Sequence, residues 1–166
     1  MSSPGQPRGL SDEAQVGWEA RRAHQDRTLA AMHQLEEALG AAAPGREEQW
    51  RAAVLGALAV LDQATAEEAD NAERPDSLLS DIARRQPRLR TRVRGVRFQY
   101  RHLRQTLAGL RHELEQEPGP GLDYGDVRQR LGWALAALRH QRARESDLIY
   151  EAYYDAFGSD LGAEQG

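Results

Sequence analysis

The 166-residue chain contains no cysteine and no lysine. Without thiols it has no disulfide staple, no thiolate metal site and no cysteine nucleophile, so its folded state must rest on its core alone. All 22 basic residues are arginine. With abundant alanine, that is the bias of a GC-rich genome, and it carries little physical weight. Aromatic residues make up 6% of the chain and β-branched residues are sparse. No stretch alternates polar and apolar at period two, which argues against a sheet. The longest apolar run, Ala52 to Leu61, is roughly half of what a membrane crossing needs. The opening MSSPGQPRGLSDE has no apolar stretch, so no signal peptide is expected. A net charge of −4 argues against nonspecific nucleic-acid binding, which needs a basic face. A cytoplasmic chain with one domain is the expectation, because this length can bury a self-sufficient core.

What is present is helical periodicity. Residues 1–10 read as a tail, with Pro4, Gly5, Pro7 and Gly9 close together. Ser11 is a helix cap, and a first helix carries Leu29, Met32, Leu35 and Leu39 before Gly40. A second helix starts near Glu47 with the stripe Trp50, Val54, Leu58 and Leu61. A connection around Glu73–Asp76 leads into a short helix through Leu78, Leu79 and Ile82. Pro87 suits the first turn of a third long helix, with Val93, Val96, Tyr100, Leu103, Leu107, Leu110 and Leu114 on one seam. The run Pro118-Gly119-Pro120-Gly121 stops it, and Asp123 caps a fourth helix. That helix is expected to end near Phe157, with Gly158 as its cap and a tail over 159–166. Four long helices joined mostly by short loops predict an all-α, up-down-up-down antiparallel four-helix bundle over residues 11–158.

Polar residues on the inward faces carry the functional argument. His24 lies 11 residues before Leu35, about three whole turns, and so points the way Leu35 points. Glu68 lies seven after Leu61 and Glu145 seven after Leu138; both face inward. Tyr100 sits in the third helix's seam, and Gln141 one turn before Glu145. Two inward carboxylates need a partner, because a buried unpaired charge is costly. A metal ion would satisfy them, as would arginines such as Arg142 or Arg144. His33, His102, His112 and His140 fall on or toward outer faces. The arginines from Arg84 to Arg104 form the densest charge cluster, read as a solvated surface or a docking site for an acidic partner. Neither GxGxxG nor GxxxxGK[ST] occurs, nor HExxH, ExxH or a Gly-x-Ser-x-Gly elbow.

This pattern resembles the hemerythrin-like (HHE) domain, from about residue 15 to 158. The resemblance rests on HQDRTLAAMHQLEEAL in the first helix, AEEADN in the second, SLLSDI and PRL in the connection, and HQRARESDLIYEAYYDAFG in the fourth. It implies a four-helix bundle that binds two irons through histidines and bridging carboxylates. Carried over by position, His24 matches the first-helix histidine and Glu68 the second-helix glutamate. His140 and Glu145 fit the His-x4-Asp/Glu spacing of the last helix. Ala64 and Tyr100 stand where histidines are expected, and Gln141 does so in an alternative alignment. With at least two imidazoles missing, the expectation is a divergent member without an intact di-iron centre, acting as a helical interaction or regulatory module with a protein partner. The alternative is a residual iron-binding protein in oxygen, iron or redox sensing, with His24, Glu68, His140 and Glu145 as ligands. An enzyme using Glu68 and Glu145 as an acid/base pair ranks last, since no nucleophile or oxyanion donor is evident.

Overall fold

The computed structural model describes residues 9–116 and 123–163, with side chains as far as residue 154. All secondary structure in these residues is helical: α1 (Asp12–Gly40), α2 (Glu47–Glu73), a short α3 (Leu78–Arg85), a 3-10 turn (Pro87–Leu89), α4 (Arg90–Glu115) and α5 (Tyr124–Ala163). The four long helices pack as a helical bundle, α1 on α2, α2 on α4 and α4 on α5, with α3 wedged among them.

Local chemistry sets most boundaries. The Ala14 N–H donates to Ser11 Oγ at 3.2 Å, and Asp12 and Glu13 place negative charge at the positive end of the α1 dipole. Gly45, with φ +77°, turns the chain between α1 and α2. Ser77 caps α3 through the Ser80 N–H, and the Asp126 N–H donates to Asp123 Oδ1 at 3.1 Å to open α5. Arg51 reaches across from α2 and donates through Nε to the Leu114 carbonyl at 2.9 Å, satisfying one of the orphan carbonyls that end α4.

The apolar stripes are buried as the periodicity predicts, with one exception. All seven seam residues of α4 are inside. Met32, Leu35 and Leu39 are inside as well, but Leu29 is 38% exposed. It lies about 120° round the helix from Leu35, and Thr28 and Ala31 take the inward places beside it. The fourth long helix also outruns its expected end near Phe157, continuing through Gly158 to Ala163. A helical glycine weakens a helix by about 1 kcal/mol without ending it. Residues 1–8 of the expected N-terminal tail, the Pro118–Gly121 stop and residues 164–166 lie outside the described residues.

The core divides into two clusters. One gathers Met32, Leu35, Leu58, Leu61, Leu107 and Leu131 with their neighbours. The other gathers Ala14, Leu78, Ile82, Val93, Leu148 and Ile149 around α3. The short helix is held by buried Asp81, which accepts from Tyr153 Oη at 2.8 Å and from Arg85 Nε at 2.9 Å. Burial raises the Tyr153 phenol's pKa, and the Asp81 hydrogen bond adds to the rise, so this hydroxyl keeps its proton.

Gly17 lets α1 approach the α2–α3 connection. A methyl group there would stand 3.0 Å from the Asp76 carbonyl oxygen and 3.2 Å from the Leu78 nitrogen, both backbone atoms. Gly56 has nothing within 4 Å of such a position. Gly17→Ala is therefore expected to lower the thermal midpoint despite alanine's better helix propensity. Gly56→Ala should raise stability by about 0.5–1 kcal/mol. Thermal unfolding followed by circular dichroism checks the opposite signs.

Candidate functional site

Between the two apolar clusters every long helix contributes polar groups. Thr28 from α1, Thr65 and Glu68 from α2, and Gln141 and Glu145 from α5 are all at least 96% buried, and Tyr100 from α4 stands among them. Gln141 is spent on the backbone, donating to the Val96 carbonyl at 3.1 Å; Thr65 likewise donates to the Leu61 carbonyl at 2.9 Å. The remaining groups form one connected cluster. Thr28 Oγ1 donates to Glu68 Oε2 at 2.6 Å. The Tyr100 hydroxyl stands between Glu68 Oε1, at 3.0 Å, and Glu145 Oε2, in close contact. Arg21 Nε donates to Glu145 Oε1 at 3.1 Å, with the guanidinium arm itself nearly buried.

Proton accounting defines the electrostatics. One phenolic proton cannot serve two carboxylates, so one of the two contacts to Tyr100 requires a carboxyl proton. Burial pushes the Glu68 carboxyl above its ordinary value. The Thr28 hydrogen bond pulls it back, the Glu145 charge adds to the rise, and Tyr100 and the Arg142 charge only partly offset it. Burial and the same two carboxylates hold the Tyr100 phenol well above its ordinary value, so it stays protonated. The consistent arrangement is a neutral Glu68 donating to the Tyr100 oxygen, Tyr100 donating to Glu145, and a charged Glu145 paired with Arg21. The cluster is then neutral, with one cation and one anion in contact, which is what a low-dielectric layer requires.

The two glutamates expected to face inward do so, and Tyr100 joins them. The two histidines do not join them. His140 is exposed on α5, on the outer side where its wheel position puts it. His24 is half-buried and lines an open hollow between α1 and α2 with Glu67, Asp70, Asn71 and Arg74. Its Nδ1 has no partner, and burial, then the Arg27 charge, lower its pKa against the opposing Glu67 charge. The imidazole is neutral at physiological pH but is not bonded to either buried carboxylate. His33, His102 and His112 are exposed, as expected. Sequence reasoning missed Thr28 and Arg21, although the count that pointed His24 inward also covers them: each falls within about 40° of Leu35 on an ideal helix.

The space beside the cluster, lined by Arg21, Tyr100, Glu145 and the α3 residues Leu78 and Leu79, admits water centres over about 10 Å³. That is room for about one water and none for an organic substrate. Among the described residues no three histidine or acidic side chains gather as a metal ion would require. A di-iron pair needs several neutral imidazoles together with bridging carboxylates. Here the carboxylate oxygens face a guanidinium, a phenol and a threonine hydroxyl, and this set does not fit the group. No protein-family model, curated protein or solved structure matches the chain.

Glu68→Gln preserves an N–H donor for Tyr100 and a carbonyl acceptor for Thr28, so it mimics the protonated acid and should leave stability near that of the parent at pH 5. A carboxyl whose pKa is raised by folding contributes stability that is complete below its unfolded value and is lost as pH rises through the folded one. The variant should therefore gain on the parent as pH is raised from 5 to 8. Tyr100→Phe removes one partner from each carboxylate, leaving Thr28 on Glu68 and Arg21 on Glu145, and should cost about 1–3 kcal/mol. Denaturant titrations across that pH range check both, and a gap between Glu68→Gln and parent that does not move with pH contradicts a protonated Glu68.

Proposed function

We propose that this chain is a divergent hemerythrin-like four-helix bundle of up-down-up-down topology whose inward polar layer is closed by its own side chains. It acts as an interaction or regulatory module, not as an iron carrier or an enzyme. The observation that carries this reading is the Arg21 guanidinium on Glu145, a protein cation where a metal cation would neutralise the same carboxylate. Tyr100 and Thr28 take up the remaining acceptors. The order of the core residues supports the topology. The larger cluster draws on the later part of α1, the earlier part of α2, the later part of α4 and the earlier part of α5. The cluster around α3 draws on the opposite ends of the long helices. That alternation is what helices of alternating direction produce.

The bundle needs no ion to hold the layer together, so purification from iron-supplemented cells should give protein with far less than one iron per chain and no visible absorption band. Elemental analysis and an absorption spectrum check this. About two irons per chain with the spectrum of a bridged ferric pair would overturn the reading in favour of an iron-binding sensor.

A further inference from the structure

α1 is not held evenly along its length. From residue 15 to residue 27 the only buried residue is Gly17, which has no side chain to anchor. From there on Thr28, Ala31, Met32, Leu35 and Leu39 are all inside. Within their described residues, the other three long helices bury a residue at least every fourth position. The first half of α1 is also undercut. An open hollow of about 510 Å³ lies between Val16, Ala20 and His24 on this segment and Glu67, Asp70 and Asn71 on α2. Trp18, Arg21, His24 and Gln25 each carry a shielded nitrogen without a hydrogen-bond partner. Closure of this segment therefore withholds water from polar groups that it does not satisfy.

A small apolar contact and a set of polar latches hold the segment down. Ala14 is buried, and Leu10 and Trp18 pack half-buried against the α3 cluster. Arg21 Nε donates to Glu145 Oε1, Arg142 Nη1 to the Gln25 carbonyl and Arg85 Nη2 to Ser11 Oγ, each at 3.1 Å. Elsewhere α1 and α5 approach each other closely at few residues. Arg21 lines the one-water space together with Glu68, Ala72, Tyr100 and Glu145, so lifting this segment opens that space. A region with few buried apolar contacts opens at a lower free energy than the whole domain unfolds. We propose that residues 12–27 form a lid that detaches as a unit as far as Thr28 and uncovers Glu68, Tyr100 and Glu145 while the rest of the bundle stays folded. The chain then has two states that differ in the exposure of an acidic layer. This moving part goes beyond the reading of the chain as an interaction or regulatory module and does not depend on it.

Because the chain has no cysteine, a single introduced thiol reports opening wherever it is placed. Ala72→Cys puts one beside Arg21 at the one-water space, and Ala134→Cys puts one in the other cluster; both sites are 5% exposed. Each full-length variant is treated with a water-soluble disulfide reagent in urea below the unfolding transition. Its rate is divided by that of the same variant unfolded. The thiol at position 72 should react at least about tenfold faster than the one at 134. Its rate should barely change with urea, because local opening exposes little surface, whereas the rate at 134 should climb steeply. Trp18→Ala removes the lid's largest apolar contact and should speed the thiol at 72 about tenfold. Val127→Ala, in the other cluster, weakens the closed and open forms alike and should speed only the thiol at 134. The proposal is overturned if the two thiols share one rate, if Trp18→Ala leaves the thiol at 72 unchanged, or if Val127→Ala speeds both alike. Should a cysteine variant fail to fold, hydrogen exchange of the parent decides. Amides of residues 18–27 exchanging independently of low urea, with those of residues 31–39 dependent on it, support the lid; exchange of both halves together overturns it.

Discussion

Two carboxylates inside a helical core must be neutralised, and the rest of the interior is arranged around that requirement. Glu68 and Glu145 come from different helices and meet through one phenol, Tyr100. Two like charges held this close in a low-dielectric layer would repel strongly. The chain eases this with one cation and with burial. Arg21 pairs with Glu145, and burial raises the Glu68 carboxyl's pKa, favouring its protonated form. Each of the four long helices supplies a member of the cluster, so the helices' relative heights are set by a bonding pattern that apolar packing by itself would leave free to slide. Apolar residues of similar volume often serve stability as well as a buried ion pair.

Packing on either side keeps the layer dry. Below it, α3 and the connection before it press against α1, and only glycine at position 17 allows the backbones to come that close. Asp81 and Tyr153 then tie α3 to α5. Above it, leucines from all four long helices close the second cluster. The space left at the cluster holds about one water, too little for an organic substrate there. On the surface, Arg92, Arg97, Arg104 and Arg111 of α4 pair with Glu151, Glu73, Asp70 and Asp62, respectively, and Arg111 also with Glu115.

Much of the fold was legible because helices announce themselves locally. The 3.6-residue repeat identified the buried seam of α4 residue for residue, and short polar side chains marked the starts of α1 and α5. The errors arose where local signals are weak. Leu29 was assigned inward because it is apolar, although its wheel position is not; Gly158 was read as a stop although a glycine inside a helix is only a modest penalty. In the site, counting whole turns found Glu68 and Glu145. The same counting could not choose among His24, Thr28 and Arg21, which lie within a narrow arc of α1.

The sequence by itself determined the number of long helices, the caps that open α1 and α5 and the inward position of two acids, because each follows from spacing along one helix. Only the tertiary structure decided what those acids meet. Side-chain length and the placing of α1 against its neighbours bring Arg21 and Thr28 to the carboxylates and leave His24 facing the α1–α2 hollow. A helical wheel contains neither the height of one helix against another nor the reach of a guanidinium, and those two quantities separate a metal-ligand set from a self-neutralised cluster.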